Sequence, residues 1–466
     1  MRTVVRSVMA GVLLGGVAAP VRAWAQSAEG GAVRAAGTVN AGAPGRAGVV
    51  LTLATVVTRA RENAPAVLVA VERARASSAQ AGLARAGYLP TVTLSTGASG
   101  AVTNGTQVLG GALAVNNTNV SLQADASASV RWTLWDFGRT AGAVDSAEAG
   151  ARAAVLDLES SRRSAVASAV GAFYAVILDQ DALDAARVTE RARARALEVV
   201  RGYVQAGARP EIERTRAEVS LASARLDVAN AEATFQSDLA ALAGALGMDA
   251  TGALSAVAPR PLGLDEDPAG AARRAASERP EVLASRVRTQ QADVQVDNAR
   301  RGYLPTLSAS AAAGLRYTAN WRYTEPMWTD TRGPAESVNA GVTLSWAAFD
   351  PTVSGNVRVA EANAAAVRAQ EHQSLVAART EAVQAVVAAR AARQAYAQSE
   401  TFARGAEANL AQASGRYEQG AGTMLELADA QTADAQARAS LVRARWQWEV
   451  AKARAFIAQG RLDALR

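Results

Sequence analysis

Residues 86–95 read AGYLPTVTLS and residues 301–310 read RGYLPTLSAS. The tyrosines of these two Tyr-Leu-Pro-Thr runs lie 303 − 88 = 215 positions apart, and each run precedes a stretch of small residues. The pairing continues in order on both sides. Pro65 matches Pro280 at the same offset, Trp132-x-x-Trp135-Asp136 matches Trp346-x-x-Phe349-Asp350 at 214, and Ala147-Glu148-Ala149 matches Ala360-Glu361-Ala362 at 213. Gly207, four residues after Tyr203, matches Gly420, three residues after Tyr417, again at 213. An ordered set of matches with so small a drift marks a duplicated structural unit.

Proline lacks an amide hydrogen and disfavours helical geometry at the residue before it, so Pro90 and Pro305 mark helix-to-strand breaks. Strict alternation follows them. Val92, Leu94, Thr96 and Ala98 begin one apolar series, and Val120, Leu122, Ala124, Ala126, Ala128, Val130 form a second against Asn119, Ser121, Gln123 and Asp125. Leu307 to Trp321 and Val338 to Ala348 give two more. Period-two patterning predicts four strands with one apolar face, at about 91–106, 119–135, 306–322 and 337–349. They are far longer than the usual five or six residues of soluble strands. Trp132, Trp135, Trp321, Trp328, Trp346 and Phe349 gather at or near strand ends, where membrane barrels carry aromatic girdles.

Four strands cannot seal a barrel, and an open edge in lipid would leave backbone groups unpaired. The sheet therefore has to be completed by further copies of the chain. Two would give eight strands with a filled interior and three would give twelve with room for a lumen.

The rest of the chain fits an exported protein. It has 466 residues, a formal charge of +6 and no cysteine. Arg2 and Arg6, the apolar run Val8 to Ala19 and Ala23-Trp24-Ala25 predict a signal peptide over 1–25. A flexible segment is expected over 26–50, the first unit over 51–250, a Pro- and Gly-rich linker over 251–267, and the second unit over 268–466. No later run of about 20 apolar residues stands out as a membrane helix. Dense basic blocks with interleaved aromatics are missing, which argues against nucleic acid as a partner. His372 is the only histidine and no Gly-rich phosphate loop follows a strand, so neither a His-based catalytic site nor a nucleotide site is expected, and no cofactor is called for.

From Arg139 to about Gly202 no proline occurs, and Val155, Leu158, Val166, Val170, Phe173 and Ile177 keep helical spacing. Ala435, Ala439, Val442, Trp446, Val450 and Ala453 do the same near the C-terminus. Both patterns predict long coiled-coil helices with close-packed small residues. Helices of this kind alone also suit a soluble periplasmic adaptor or scaffold, a rival reading.

The duplicated helix–strand–strand–helix unit, GYLP before the strands, LWDFG and AAFDP after them, and the stretch from Tyr417 through GTMLELADAQ resemble the TolC-type outer-membrane efflux proteins. The resemblance implies an α+β membrane protein: a homotrimer whose twelve-stranded β-barrel, four strands per chain, continues into an α-helical barrel across the periplasm. It implies a passive exit duct in the bacterial outer membrane, with lipid around its barrel. The expected partners are a periplasmic adaptor (membrane fusion) protein and an inner-membrane transporter of ABC or RND type, in efflux or type I secretion. The lack of an acylatable cysteine leans toward type I secretion. By the same resemblance Glu426 and Asp429 form an acidic pore constriction, Tyr417 and Glu213 help hold the helical turns closed, and Gly207, Gly420 and Gly422 shape those turns. Gly422 stands where the family pattern supplies a basic mate for Glu213, leaving Arg209, Arg214 or Arg216 as substitutes. The plainer reading of Glu426 and Asp429 is that acids in a first helical turn complement the helix dipole, by about 0.3–1 kcal/mol each.

Overall fold

The computed structural model describes residues 49–109, 113–249, 254–263, 267–324 and 327–465. The expected signal peptide and residues 26–48 of the expected flexible segment lie outside the described residues. The elements run β1 (Val49–Leu51), α1 (Leu53–Asn63), α2 (Pro65–Arg85), β2 (Thr91–Leu109), β3 (Leu113–Trp135), α3 (Arg139–Gln205), α4 (Glu211–Ala245), β4 (Leu254–Ala256), α5 (Pro268–Glu278), α6 (Pro280–Arg300), β5 (Thr306–Thr324), β6 (Met327–Ser345), α7 (Pro351–Glu418) and α8 (Met424–Ala458). At about 1.5 Å per residue the 67 residues of α3 span roughly 100 Å.

Two boundaries differ from the sequence expectation. Val49 and Val50 do not belong to a flexible segment, and the linker is not wholly irregular. Val49–Leu51 pairs in parallel with Leu254–Ala256, so a three-residue strand from each forms a small sheet. Strands this short leave little periodicity to read. The large strands are also longer than expected, at 19, 23, 19 and 19 residues, and the fourth ends at Ser345 rather than near 349.

The four long strands form one antiparallel sheet in the order β2-β3-β5-β6. Register places all four apolar series on one face: Leu94 opposite Ala128, Ala128 opposite Ala313, and Ala313 opposite Val338. No described helix packs across that face. Leu94 is 80% exposed and Val338 85%, while Ser121, Gln123, Asp125 and Ser127 on the polar face are partly occluded. A soluble sheet buries its apolar side; this one presents it outward.

The repeated Tyr-Leu-Pro is the corner between helix and sheet. A short 3₁₀ turn, Ala86–Tyr88 or Arg301–Tyr303, ends the helix in each copy. The Trp132 indole then donates to the Tyr88 carbonyl at 2.9 Å, and the Trp346 indole to the Tyr303 carbonyl at 3.0 Å. Each corner thus has its freed carbonyl satisfied by a tryptophan of the same copy. The return to helix differs between copies. Asp350 caps α7, accepting from the Thr352 amide at 2.8 Å, with Pro351 as the first helical residue. In copy one Phe137 and Gly138 both adopt positive φ (55° and 86°) before α3 begins. That inserted kink accounts for one step of the drift in offset. Asp136 accepts from the Gly138 and Thr140 amides at 3.0 and 2.7 Å. Burial opposes its charge, but the hydrogen bonds from Thr140 and Gly138 outweigh it and hold the carboxyl below its ordinary value.

A reciprocal joint ties the copies together here. Arg139 donates to the carbonyls of Arg301 (2.9 Å), Gly302 (3.1 Å) and Leu304, while Arg301 returns a hydrogen bond to the Gly138 carbonyl at 2.7 Å. Further down, the main core joins α1, α3, α4 and α8 through Val56, Phe173, Tyr174, Ile177, Leu242 and Phe456. One window of α3 is apolar enough to cross a bilayer (mean hydropathy 1.3), contrary to the sequence expectation; Val166 to Ile177 of α3 pack in this core instead. Val155, which the spacing placed on the packing stripe, is exposed, while its neighbours Ala153 and Leu158 pack. Lys452, the chain's only lysine, is buried against Glu449 at 2.7 Å and lies 4.1 Å from the Trp448 ring centroid. Below the core, Asp179 on α3 is hydrogen-bonded to Asp238 on α4; burial, that bond and the neighbouring charge push the Asp179 carboxyl up to about 6.

Two outcomes follow from these contacts. Arg139→Ala removes a charged fork from three carbonyls and is expected to cost about 2–3 kcal/mol, read as a lower midpoint of thermal unfolding; Arg139→Lys should restore only part of it. For Asp179, the raised value means that the folded state holds the proton more tightly, so stability is present at low pH and is lost as pH rises through about 6. Asp179→Asn should therefore raise the unfolding midpoint at pH 8 and lose that advantage by about pH 4.

Candidate functional site

Both helical hairpins turn on a glycine. At the end of α3, Gly207 has φ +70°, and at the end of α7, Gly420 has φ +76°. This left-handed geometry carries no penalty for glycine. The hydrogen bonds around the turns repeat: Gly207 to Val204 and Ala208 to Tyr203 in one, Gly420 to Tyr417 and Ala421 to Arg416 in the other, all at 2.9–3.0 Å. These are Schellman closures, which satisfy carbonyls that a helix end leaves open. The copies part at the next residue, where the Gly422 amide donates to the Arg416 carbonyl at 3.0 Å. A Cβ at Gly422 would stand 3.1 Å from the Tyr417 nitrogen and 3.2 Å from the Arg416 Cβ. A basic side chain there would press on the turn's own backbone, which would have to give by a few tenths of an ångström.

Arg209, from the other turn, takes over that role. Its guanidinium donates to the Gly422 carbonyl at 3.3 Å, stands 3.7 Å from the Glu213 carboxylate and lies 4.9 Å from the Tyr417 ring centroid. Glu213 accepts from the Tyr417 hydroxyl at 2.9 Å. The four residues form a latch between the α3–α4 and α7–α8 hairpins. Of the three arginines that the sequence left open, Arg214 pairs instead with Glu211 and Glu218 on its own helix. Tyr417 is buried; burial, the bond to Glu213 and its charge push the hydroxyl up to about 12, so it remains a donor throughout the neutral range.

Beneath the latch lies an apolar cluster of Leu197, Val200, Leu221, Tyr417, Met424 and Leu427. Tyr203 packs edge-on to Tyr417 at 6.2 Å. Sequence reading assigned Tyr203 no role, although its duplication with Tyr417 was the available signal. Thr423 caps α8 by accepting from the Glu426 amide at 3.2 Å. Glu426 and Asp429 are both exposed, while Met424, Leu427 and Ala430 turn inward, so the two acids share the side facing away from the hairpin packing. Arg416 approaches Glu426 at 3.8 Å, a contact that no local pattern announces.

The other predicted positions sit at the sheet. Pro90 and Pro305 immediately precede β2 and β5. Trp132, Trp135, Trp346 and Phe349 lie at the helical end, with Trp135 edge-on to Phe137 and Phe349 fully outward. Trp321 and Trp328 lie at the far end, where Trp328 contacts Tyr323 at 5.0 Å and the Arg332 guanidinium covers Trp321 at 5.6 Å. The aromatics thus form two rims at opposite ends of one sheet. Neither rim is near the latch.

Comparison with known proteins agrees with this geometry. The family model described as Outer membrane efflux protein matches residues 56–248 and 271–456, one segment in each copy. Protein CyaE of Bordetella pertussis is 29% identical over 380 residues, covering 79% of this chain and 76% of that protein. Among solved structures, a membrane protein from Pseudomonas aeruginosa superposes with a TM-score of 0.70 at 21% identity, covering 88% of this chain and 93% of that one. The Campylobacter jejuni CmeC outer membrane channel superposes with a TM-score of 0.69 at 19% identity, covering 88% and 85%. Duplicated unit, outward apolar sheet and glycine-turned hairpins lead to one assignment: the chain belongs to the outer membrane efflux protein family.

Proposed function

We propose that three copies of this chain close a twelve-stranded barrel in the outer membrane and continue it as a helical tunnel, forming a passive exit duct. The observation that carries the reading is the sheet: its apolar face is uncovered, and β2 and β6 at its edges have no outer neighbour among the described residues. In lipid those edges require strands from another copy. From Leu307 to Trp321 the strand rises about 46 Å, or roughly 35 Å at the usual barrel tilt, which suits the hydrocarbon core and part of its interfaces. A soluble periplasmic adaptor or scaffold would have no use for such a face.

A periplasmic adaptor protein and an inner-membrane transporter of ABC or RND type would supply energy and cargo choice, as in tripartite efflux or type I secretion. The latch of Arg209, Glu213, Tyr417 and the Gly422 carbonyl holds the periplasmic mouth closed. Glu426 and Asp429 from three chains would line that mouth with six carboxylates (2 × 3). A ring of this kind favours cations and is open to cation block. With Arg416 beside Glu426, Asp429 contributes the less compensated charge.

The duplication fixes how neighbours should meet. Within the chain Arg131 faces Ser310. Adding 214 to the first and subtracting 215 from the second places Ser345 opposite Ser95 of the partner subunit. Because the chain has no cysteine, Ser345→Cys with Ser95→Cys should give covalent trimers on oxidation in outer-membrane fractions, while either single variant stays monomeric on denaturing gels. Monomers from the double variant would count against the closed barrel. In planar bilayers, Glu426→Gln with Asp429→Asn should weaken block by multivalent cations about tenfold or more; unchanged block would remove the acidic ring.

A further inference from the structure

The polar face of the sheet is unequally charged. Among its described residues, β3 carries Asp125 and Arg131, β5 carries Arg316 and Arg322, and β2 and β6 carry no charge on that side. Three arginines less one aspartate leave +2 per chain. Register stacks them along the strands. Arg131 is at the helical end beside Trp132, Arg316 faces Asp125 six positions further along, and Arg322 faces Asn119 near the far end. Six residues of strand separate successive levels by about 20 Å, more than two Debye lengths in physiological salt, so each level acts as its own ring.

Asp125 lowers the net charge of the middle level but makes no ion pair with Arg316 there. Its carboxylate leans over Gly97 on β2, where a Cβ would meet Oδ1 at 3.1 Å, and so turns toward the strand on the far side from Arg316. No ion pair to Arg131, Arg316 or Arg322 forms among the described residues, whereas the Arg332–Asp330 pair satisfies itself on the opposite, apolar face. Gly97 is what gives Asp125 the room to turn away.

We infer that the barrel lumen is a stack of arginine rings, +6 in a trimer (3 × 2), selecting carboxylate-bearing cargo downstream of an acidic mouth. The inference rests on the duct reading. Charged rings in a water-filled, low-dielectric wall set ion preference, and arginine rings favour anions. A negatively charged segment that has passed the periplasmic constriction would then partition into the barrel, while the direction of passage is set by the partners that supply energy.

The test is ion selectivity of the purified full chain in planar bilayers under a potassium chloride gradient, with Glu426→Gln and Asp429→Asn present to silence the acidic mouth. Chloride should permeate better than potassium. Arg131→Gln, Arg316→Gln and Arg322→Gln together should lower the chloride-to-potassium ratio about twofold or more, and Asp125→Asn should raise it. Free glutamate and polyglutamate, each added at the helical end, separate the sources of carboxylate. Higher glutamate permeability assigns the rings to small organic anions, and long blockades by the polymer assign them to acidic polypeptide. A ratio unmoved by the triple variant, or blockades by polylysine as long as those by polyglutamate, would overturn the rings while leaving the duct intact. Step conductances absent from preparations that also run as monomers would overturn the duct reading and the rings with it.

Discussion

A peptide group in hydrocarbon has no water to bond, and each one left unpaired costs several kcal/mol. Everything else in this molecule depends on that constraint. Its four-stranded sheet turns its apolar face outward and ends in two edges, β2 and β6, that are unpaired among the described residues. Such a sheet is unstable alone in either water or lipid. The helices descend from one end of it because the strands have paired lengths and leave through paired corners. Each corner is pinned by an indole donating to the carbonyl of the tyrosine that precedes Leu-Pro.

The duplication is a near-symmetry, and its departures carry information. Arg139 and Arg301 clasp the exit of copy one to the entry of copy two. The positions that correspond to them by offset, Thr352 (139 + 213) and Ala86 (301 − 215), carry no charge. Where one copy follows another within the chain the junction is therefore locked. Where copies would meet between chains, the same junction has no arginine clasp available. The tips show a similar contrast: both turns use a left-handed glycine, yet Arg209 on one hairpin reaches the backbone of the other. That reach is a single hydrogen bond at 3.3 Å and is partly exposed. The apolar cluster beneath it is small beside the main core around Phe173 and Tyr174.

Much of this was legible from residues alone, because it is carried by local periodicity. Alternation along β2, β3, β5 and β6 gave the strands and their two faces, the proline corners gave their starts, and the spacing between copies gave the order of elements. What periodicity could not carry was a choice among equivalent groups. Arg209, Arg214 and Arg216 lie within eight residues of one another, and only the approach of the second hairpin brings Arg209 to the Gly422 carbonyl and the Tyr417 ring. The small β1–β4 sheet was missed because three residues make no pattern, and its strands are some 200 positions apart. Val155 was placed on a packing stripe whose other members pack while it stays exposed, since helical spacing states which residues share a side and not which of them a neighbour reaches.

The sequence by itself determined a duplicated unit, four two-faced strands, long close-packed helices and hairpins turned on glycine, because each depends on residues near one another in the chain. Only the tertiary structure decided that the apolar face stays bare, that Arg209 closes the latch, and that Asp125 leans away from Arg316. Those outcomes depend on distances between segments a hundred or more residues apart, which no local pattern encodes.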